Sequence, residues 1–224
     1  MYVYLSVSPS RQCQWYTGQV NTFNLTKKEE RLFKSLNTPA KIQDFLNTIP
    51  QNFDEDGPIV ISPRKVLELN KAHCVEGALL AAAILWYHGH KPLLMDIKTA
   101  RNQNDSDHVV TLFKQNGYWG ALSKTNHGVL RYREPIYKTL RELALSYFHE
   151  YFLNDTGIKT MRSYSKEYNL SRYGTAWITS EEDLYEISAD LDEITHFDVV
   201  PKNLKLRKAD KVEIEAGKII EWHK

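Results

Sequence analysis

The chain has 224 residues, with 29 basic and 28 acidic side chains and a formal net charge of +1. Because this balance creates no global field, the composition favours neither nucleic-acid binding nor an acidic partner. With 42% hydrophobic and 25% charged residues, the chain has the composition of a globular protein. No apolar run approaches the ~18 residues of a membrane span, so we expect no membrane association.

Two further features concern the cellular compartment. The first residues, MYVYLSVSPSRQ, lack the basic and apolar regions of a secretory signal. The chain has two cysteines, Cys13 and Cys74, which are too few for a disulfide framework. We therefore expect a cytoplasmic protein with reduced thiols.

Three short motifs predict helix N-termini in the first third of the chain. Thr26 opens the capping-box sequence TKKE, and Thr38-Pro39 and Ser62-Pro63 each place a capping hydroxyl before a proline. The apolar residues that follow have helical spacing. We expect these helices to end near residues 36, 50 and 70.

The segment from Cys74 to Tyr87 is apolar on nearly all sides, which predicts a buried helix. The runs LLMDI and HVVTLFK that follow are typical of buried strands. Asn116-Gly117 predicts a tight hairpin, in which YWGALSK returns beside HVVTLFK. A buried helix followed by antiparallel strands predicts an α+β fold.

The remainder of the chain has weaker patterns. Pro135 predicts the start of another helix, and Ser180 resembles the N-cap of an acidic helix. Residues 153–173 are polar and predict a loop or a peripheral helix. Alternating residues around Ala216-Gly217 predict a terminal hairpin.

Cys74 is the candidate for chemistry, because it precedes the buried helix. Unpaired N–H groups and the helix dipole stabilise a thiolate at such a position. His108 begins a strand 34 residues later and supplies an imidazole that could pair with the thiolate. A cysteine beside an apolar helix also suits a role as a small core residue, so the residue type alone leaves both interpretations open.

A metal site is the third interpretation of this cysteine. Histidines 73, 88, 90 and 127 supply suitable donor types. The chain has no HExxH motif, and no second cysteine accompanies Cys74. We therefore expect neither a metal nor a cofactor.

The sequences CVEGALLAAAILWYHGHKPLLMDI, DHVVTLF and NGYWGALS resemble the core of the transglutaminase-like superfamily, within the papain-like cysteine protease fold. The resemblance covers residues 60–130. It implies a central buried helix packed on an antiparallel sheet, with Cys74 as nucleophile and His108 as general base and acid. We expect a single domain, residues 1–224, with an N-terminal helical part (22–60), this core, and a C-terminal helix and tail (131–224).

The third member of the predicted triad has two candidates. The family's aspartate, counted from Trp119, falls on Ser123, and a two-residue hairpin loop makes Ser123 the same-face diagonal neighbour of His108. A three-residue loop with a bulge shifts the register by one and places Asn126 on that face instead. An amide oxygen accepts an imidazole N–H readily, which favours Asn126 on chemical grounds.

The resemblance implies acyl transfer from an amide or peptide-like bond, with a peptide, protein or small amide as substrate. Protease, amidase, deamidase and transglutaminase share the acylation step, so these activities are not separated. The Cys74 backbone N–H would hold the oxyanion, with Asn70 or His73 as candidates for a second donor. The alternative is a catalytically inactive binding module on the same fold.

Two other groups of charged residues have structural and functional interpretations. Asp105 and Asp107 either solvate their loop or position His108. Arg131 and Arg133 either solvate a helix N-terminus or bind an anionic group. The oligomeric state is not predicted.

Overall fold

The structure is a computed structural model that describes residues 23–53 and 59–222. Cys13 and the N-terminal dodecapeptide considered above lie outside the described residues. The described residues form seven α-helices and an antiparallel sheet, a mixed α+β fold. In this part of the chain no helix combines the length and apolar character that a membrane span requires.

The elements follow one another along the chain with short connections. The helices are α1 (Lys27–Ser35), α2 (Pro39–Thr48), α3 (Pro63–Leu69), α4 (Cys74–Tyr87), α5 (Leu140–Phe148), α6 (Tyr185–Glu193) and α7 (Lys211–Gly217). The strands are β1 (Leu93–Thr99), β2 (His108–Gln115), β3 (Tyr118–Leu122), β4 (Arg133–Tyr137), β5 (Met161–Ser165), β6 (Tyr168–Asn169) and β7 (His196–Asp198).

The predicted starts of the first three helices are confirmed. Thr26 accepts a hydrogen bond from the Glu29 N–H while the Glu29 carboxylate accepts one from Thr26. Thr38 and Ser62 cap α2 and α3, and each is followed by proline in the first turn. These local signals act within one turn of chain, which is why the sequence alone locates them.

The sheet has the order β4-β3-β2-β1-β5-β7, and β6 also pairs with β1. One face packs against α4, whose residues 76–85 are all buried. The other face packs against α5. Alternate β2 residues enter the two cores: Val109 and Phe113 lie on the α4 side, Val110 and Leu112 on the α5 side. Cys74 therefore starts a helix that is fixed by packing on several sides.

The prediction of a helix start at Pro135 is wrong. Pro135 lies in β4, which pairs with β3 at the edge of the sheet. An edge strand tolerates proline because one of its sides needs no N–H donors. The helix α5 begins later, where Thr139 accepts a hydrogen bond from the Glu142 N–H.

Three further predictions for the C-terminal part are wrong. The expected terminal hairpin is the helix α7, because Asp210 and Glu213 form a capping box that outweighs the alternating pattern. Ser180 caps no helix, and its hydroxyl accepts from the Glu182 N–H in a turn while α6 begins at Tyr185. Residues 153–173 include the strands β5 and β6 in place of a loop or peripheral helix.

Candidate active site

Cys74 is the first residue of α4, and a buried carboxylate fixes the turn that holds it. The Glu76 side chain accepts hydrogen bonds from the backbone N–H groups of His73, at 2.9 Å, and Ile61, at 3.2 Å. The Asn52 amide also donates to it, at 3.2 Å. Because Glu76 is fully buried and bonded to three segments, the position of Cys74 is set by the fold rather than by a mobile loop.

The Cys74 thiol is half-buried and its pKa is strongly lowered. Burial alone raises the pKa of a thiol, but the hydrogen bonds and charges of His108 and His73 outweigh burial and lower the pKa of Cys74 to about 5. The start of α4 adds a favourable dipole. At neutral pH the thiol is therefore ionised, which is the form that attacks carbonyl carbon.

His108 is buried at the first position of β2, where its ring links Cys74 to β3. Its Nε2 atom lies 2.7 Å from the Ser123 hydroxyl, which leaves Nδ1 as the ring nitrogen available to the thiol. Gln115 pairs with Tyr118 across the hairpin, so the two-residue loop register is confirmed. That register makes Ser123 the diagonal neighbour of His108 and brings the hydroxyl to the imidazole.

Asn126 takes a different position. Its side-chain amide donates to the Trp222 carbonyl at 2.7 Å, and its side-chain oxygen accepts from the N–H groups of Trp222, at 2.7 Å, and Glu221, at 3.2 Å. Both polar atoms of the side chain are thus used to hold the C-terminal segment. The structure brings Cys74, His108 and Ser123 together and places Asn126 against residues 221–222.

Gln43 of α2 holds Ser123 from behind. Its Oε1 atom accepts from the Ser123 N–H and its Nε2 atom donates to the Ser123 carbonyl, both at 2.9 Å. Gln43 is 4% exposed, so this double bond to the backbone lies in the interior. The sequence gives little signal for this role, because Gln43 is one polar residue beside the apolar Ile42 and Leu46 of the same helix.

A cleft of about 410 Å³ opens at the start of α4. Its lining includes Cys74, His108 and His73, and it also includes Gln51, whose backbone pairs with Ala72 just before α4. Further lining residues that the sequence did not single out are Lys124, Tyr151, Phe152 and Gly217.

The two predicted oxyanion donors differ in position. His73 lines the cleft, whereas Asn70, which ends α3 with a φ of 49°, is not part of its lining. Gln51 is a side-chain amide in the cleft wall, with its Nε2 atom 3.1 Å from the Asn52 carbonyl.

Asp105 and Asp107 fix the loop before β2. Asp107 accepts from the Thr99 N–H at 2.7 Å and from the Thr99 hydroxyl at 2.9 Å, and Asp105 accepts from the Thr160 hydroxyl at 2.5 Å. Their effect on His108 is therefore indirect, through the conformation of the loop that precedes it. The Asp107 carbonyl lies 4.0 Å from the Cys74 sulfur.

The two arginines before α5 are bonded within the protein. Arg131 forms an ion pair with Glu221. Arg133 forms an ion pair with Glu150 at 2.7 Å, and its guanidinium lies over the Tyr147 ring. Both side chains thus serve contacts between segments.

The histidines that suggested a metal site do not converge. His88 bonds to the Phe33 carbonyl at 2.7 Å, and His127 bonds to the Gly217 carbonyl at 3.1 Å.

Among the described residues, one group of potential ligands lies within 4.8 Å, the carboxylates of Asp96, Asp107 and Asp192. Asp96 is bonded to His196 at 3.0 Å and Asp107 to Thr99, so protein partners already account for two of the three.

No protein-family model matches this chain, and no curated protein matches its sequence. The interpretation of the cleft therefore depends on its geometry and chemistry.

Proposed function

We propose that this protein is a cysteine-nucleophile enzyme that transfers an acyl group from an amide or peptide-like bond. The observation that carries the proposal is the Cys74 thiol, whose pKa is lowered to about 5 at the start of a buried helix beside His108. A core cysteine has no need of such a partner. A nucleophile requires one, because the thiolate is the reactive form.

The chemistry follows from the ion pair of Cys74 and His108. The sulfur attacks the carbonyl carbon of the substrate and forms a tetrahedral oxyanion. The protonated imidazole then gives its proton to the leaving nitrogen as the C–N bond breaks, which leaves a thioester on Cys74. Water or an amine, deprotonated by the neutral imidazole, attacks the thioester and releases the thiol.

The oxyanion needs donors near the sulfur. The Cys74 backbone N–H lies in the first turn of α4, where N–H groups have no partner within the helix. Gln51 and His73 line the same cleft and are the candidates for a second donor. Water and an amine as acceptors give hydrolysis and transfer respectively, so the acylation machinery is common to both.

A papain-like core, and with it membership of the transglutaminase-like superfamily, is part of this proposal. It is supported by the order of elements: a helix that begins with cysteine, a strand that begins with histidine, and an antiparallel return strand that carries the third residue. Ser123 replaces the acidic residue expected there. A hydroxyl oxygen held by Gln43 can accept the Nε2 proton of an imidazolium, which would orient the ring.

A catalytically inactive binding module is the second candidate. The observation that favours it is the same Ser123, because a neutral hydroxyl stabilises an imidazolium less than a carboxylate does. The two candidates differ in turnover. An enzyme incubated with p-nitrophenyl acetate releases p-nitrophenol beyond the amount of protein, whereas a binding module with a reactive thiol stops after a single acylation.

Thiol labelling tests the proposal directly. Iodoacetamide alkylation of Cys74, followed by peptide mass spectrometry across pH, should show a midpoint near 5 in the wild type. His108→Ala should move the midpoint upward, and His149→Ala, at an exposed histidine, should leave it unchanged. A wild-type midpoint near ~8.5, the ordinary thiol pKa, that His108→Ala does not move would exclude the ion pair.

A further inference from the structure

Lys124 follows Ser123 directly and is buried beside the first turn of α4. Its side chain is 1% exposed and lines the cleft that holds Cys74. The alkyl part crosses α4 at Gly77, where an added Cβ would lie 2.2 Å from the Lys124 Cβ and 2.7 Å from its Cγ. The absence of a side chain at Gly77 therefore makes room for a lysine under the helix.

The amine of this lysine has no hydrogen-bond partner within residues 23–53 and 59–222. Burial lowers the pKa of Lys124 to about 8; the charge of Glu221 opposes this shift and that of Arg131 adds to it. At neutral pH most molecules thus carry an ammonium group whose three donors are unused. A buried cation without an acceptor is strongly unfavourable, so an acceptor supplied by a ligand would stabilise it.

The nearby charges do not supply that acceptor. The Glu221 carboxylate accepts from Arg131, so it is already paired with another cation. Asp105 and Asp107, which also line the cleft, are bonded to threonines. The lysine is thus a cation in the wall of a cleft whose described carboxylates are engaged elsewhere.

We propose that Lys124 binds a carboxylate of the substrate, so that Cys74 acts on an amide that carries a carboxylate near the bond it breaks. This inference rests on the proposed function and narrows its substrate class. A cleft of about 410 Å³ has the size of a small-molecule site and accommodates an N-acyl amino acid or a short peptide end.

The donor set favours a carboxylate over a phosphate. A phosphate dianion is usually held by several donors at once, such as an arginine fork or a nest of backbone N–H groups. Here one ammonium is unengaged, and the neighbouring Arg131 is already paired with Glu221. A single point charge suits a monoanion.

A matched pair of alkylating probes tests this without a known substrate. N-iodoacetylglycine carries a carboxylate and N-iodoacetylglycinamide is its neutral analogue. In both, the Cys74 thiolate displaces iodide and forms a thioether. The ratio of the two alkylation rates, divided by the same ratio for glutathione, measures the attraction of the cleft for a carboxylate.

Lys124→Met should lower this ratio about tenfold, the effect expected from loss of one charge-assisted hydrogen bond. Lys124→Gln, which keeps a polar group without the charge, should lower it similarly. Lys91→Met is the matched control. Lys91 is exposed beyond the C-terminal end of α4, about 20 Å of helix away from Cys74, so the ratio should not change.

The outcomes separate this inference from the proposed function. If Cys74 reacts with both probes as an ordinary thiol, the proposed function fails. If Cys74 reacts as a thiolate in wild type and variants, but neither Lys124 variant changes the ratio, the proposed function stands and carboxylate binding by Lys124 is wrong. Circular dichroism shows that each variant is folded before the rates are compared.

Discussion

The two walls of the cleft differ in how their polar groups are satisfied. On one wall, a continuous chain of hydrogen bonds runs from His108 to Ser123 and on to Gln43. On the other wall, the Lys124 amine is buried without a described partner. We call these the His108 wall and the Lys124 wall.

The difference indicates a division of labour. Groups that react must be oriented before the substrate arrives, and full hydrogen bonding achieves that orientation. A group that recognises a ligand must instead leave its bonding capacity for the ligand. The His108 wall is complete within the protein, whereas the Lys124 wall becomes complete on binding.

The largest effect is expected from Gln43→Ala on the His108 wall. The substitution leaves the buried N–H and carbonyl of Ser123 without partners, and each such group destabilises a protein by ~1–3 kcal/mol, so we expect a loss of about 4 kcal/mol. Urea denaturation measures the free energy of unfolding. Asp44→Ala, at an exposed position of the same helix, should have little effect. Equal losses in both variants would show that Gln43 supports α2 rather than Ser123.

A similar loss, about 3 kcal/mol, is expected from Gly77→Ala, because overpacking between α4 and the Lys124 stem forces the backbone to move. The second substitution Lys124→Gly removes the atoms that clash and should restore part of the stability in a double-mutant cycle. Gly128→Ala is the control, since a Cβ there meets nothing within 4 Å. Additive effects of the two substitutions would argue against a direct clash.

The opposite sign is expected for Lys124→Met. Replacing a buried, unpaired ammonium by an apolar chain of similar size should raise the free energy of unfolding by about 2 kcal/mol at neutral pH. Because the pKa of Lys124 is about 8 when folded and higher when unfolded, the unfolded chain binds more protons between these values. Wild-type stability should therefore rise as the pH increases above about 8, and the advantage of methionine should shrink by ~pH 10.

Thermal denaturation across pH, with Lys91→Met as control, measures this difference. A destabilised Lys124→Met protein would indicate that the ammonium already has a partner.

The smallest expected effects distinguish Ser123 from Asn126. Ser123→Ala removes the acceptor of the imidazole and should raise the pKa of the Cys74 thiol, measured by iodoacetamide labelling. Asn126→Ala should leave that pKa unchanged and speed amide hydrogen exchange at Glu221 and Trp222, whose N–H groups it holds. The reverse pattern would return the orienting role to Asn126.

Local signals made much of the fold predictable. The caps of α1, α2 and α3 and the Asn116-Gly117 turn act within a few residues, and the structure confirms each. Pro135 misled because a proline suits both a first helical turn and an edge strand, and only the pairing with β3 distinguishes them. The strand β5 was missed because its residues, MRSYS, lack an apolar pattern and are placed by pairing with β1 and β7.

The candidate site shows the same division between local and distant information. Cys74 and His108 stand at element starts that sequence patterns indicate, and the hairpin register places Ser123 beside His108. Gln43 reaches Ser123 across 80 residues of sequence, and Lys124 is buried by a helix whose glycine lies far from it in the chain. No local pattern encodes such contacts, so the sequence alone did not reveal the support of the His108 wall or the recognition group opposite it.

The lowered pKa of Cys74 inverts the usual relation between folding and thiol reactivity. Cysteines within protein interiors are commonly protected by structure and become reactive when the chain unfolds. Here the folded state supplies the ion pair, and an unfolded chain would return the thiol to its ordinary pKa of ~8.5. In mildly acidic solution, loss of structure would therefore silence Cys74, and its reactivity would report on native molecules alone.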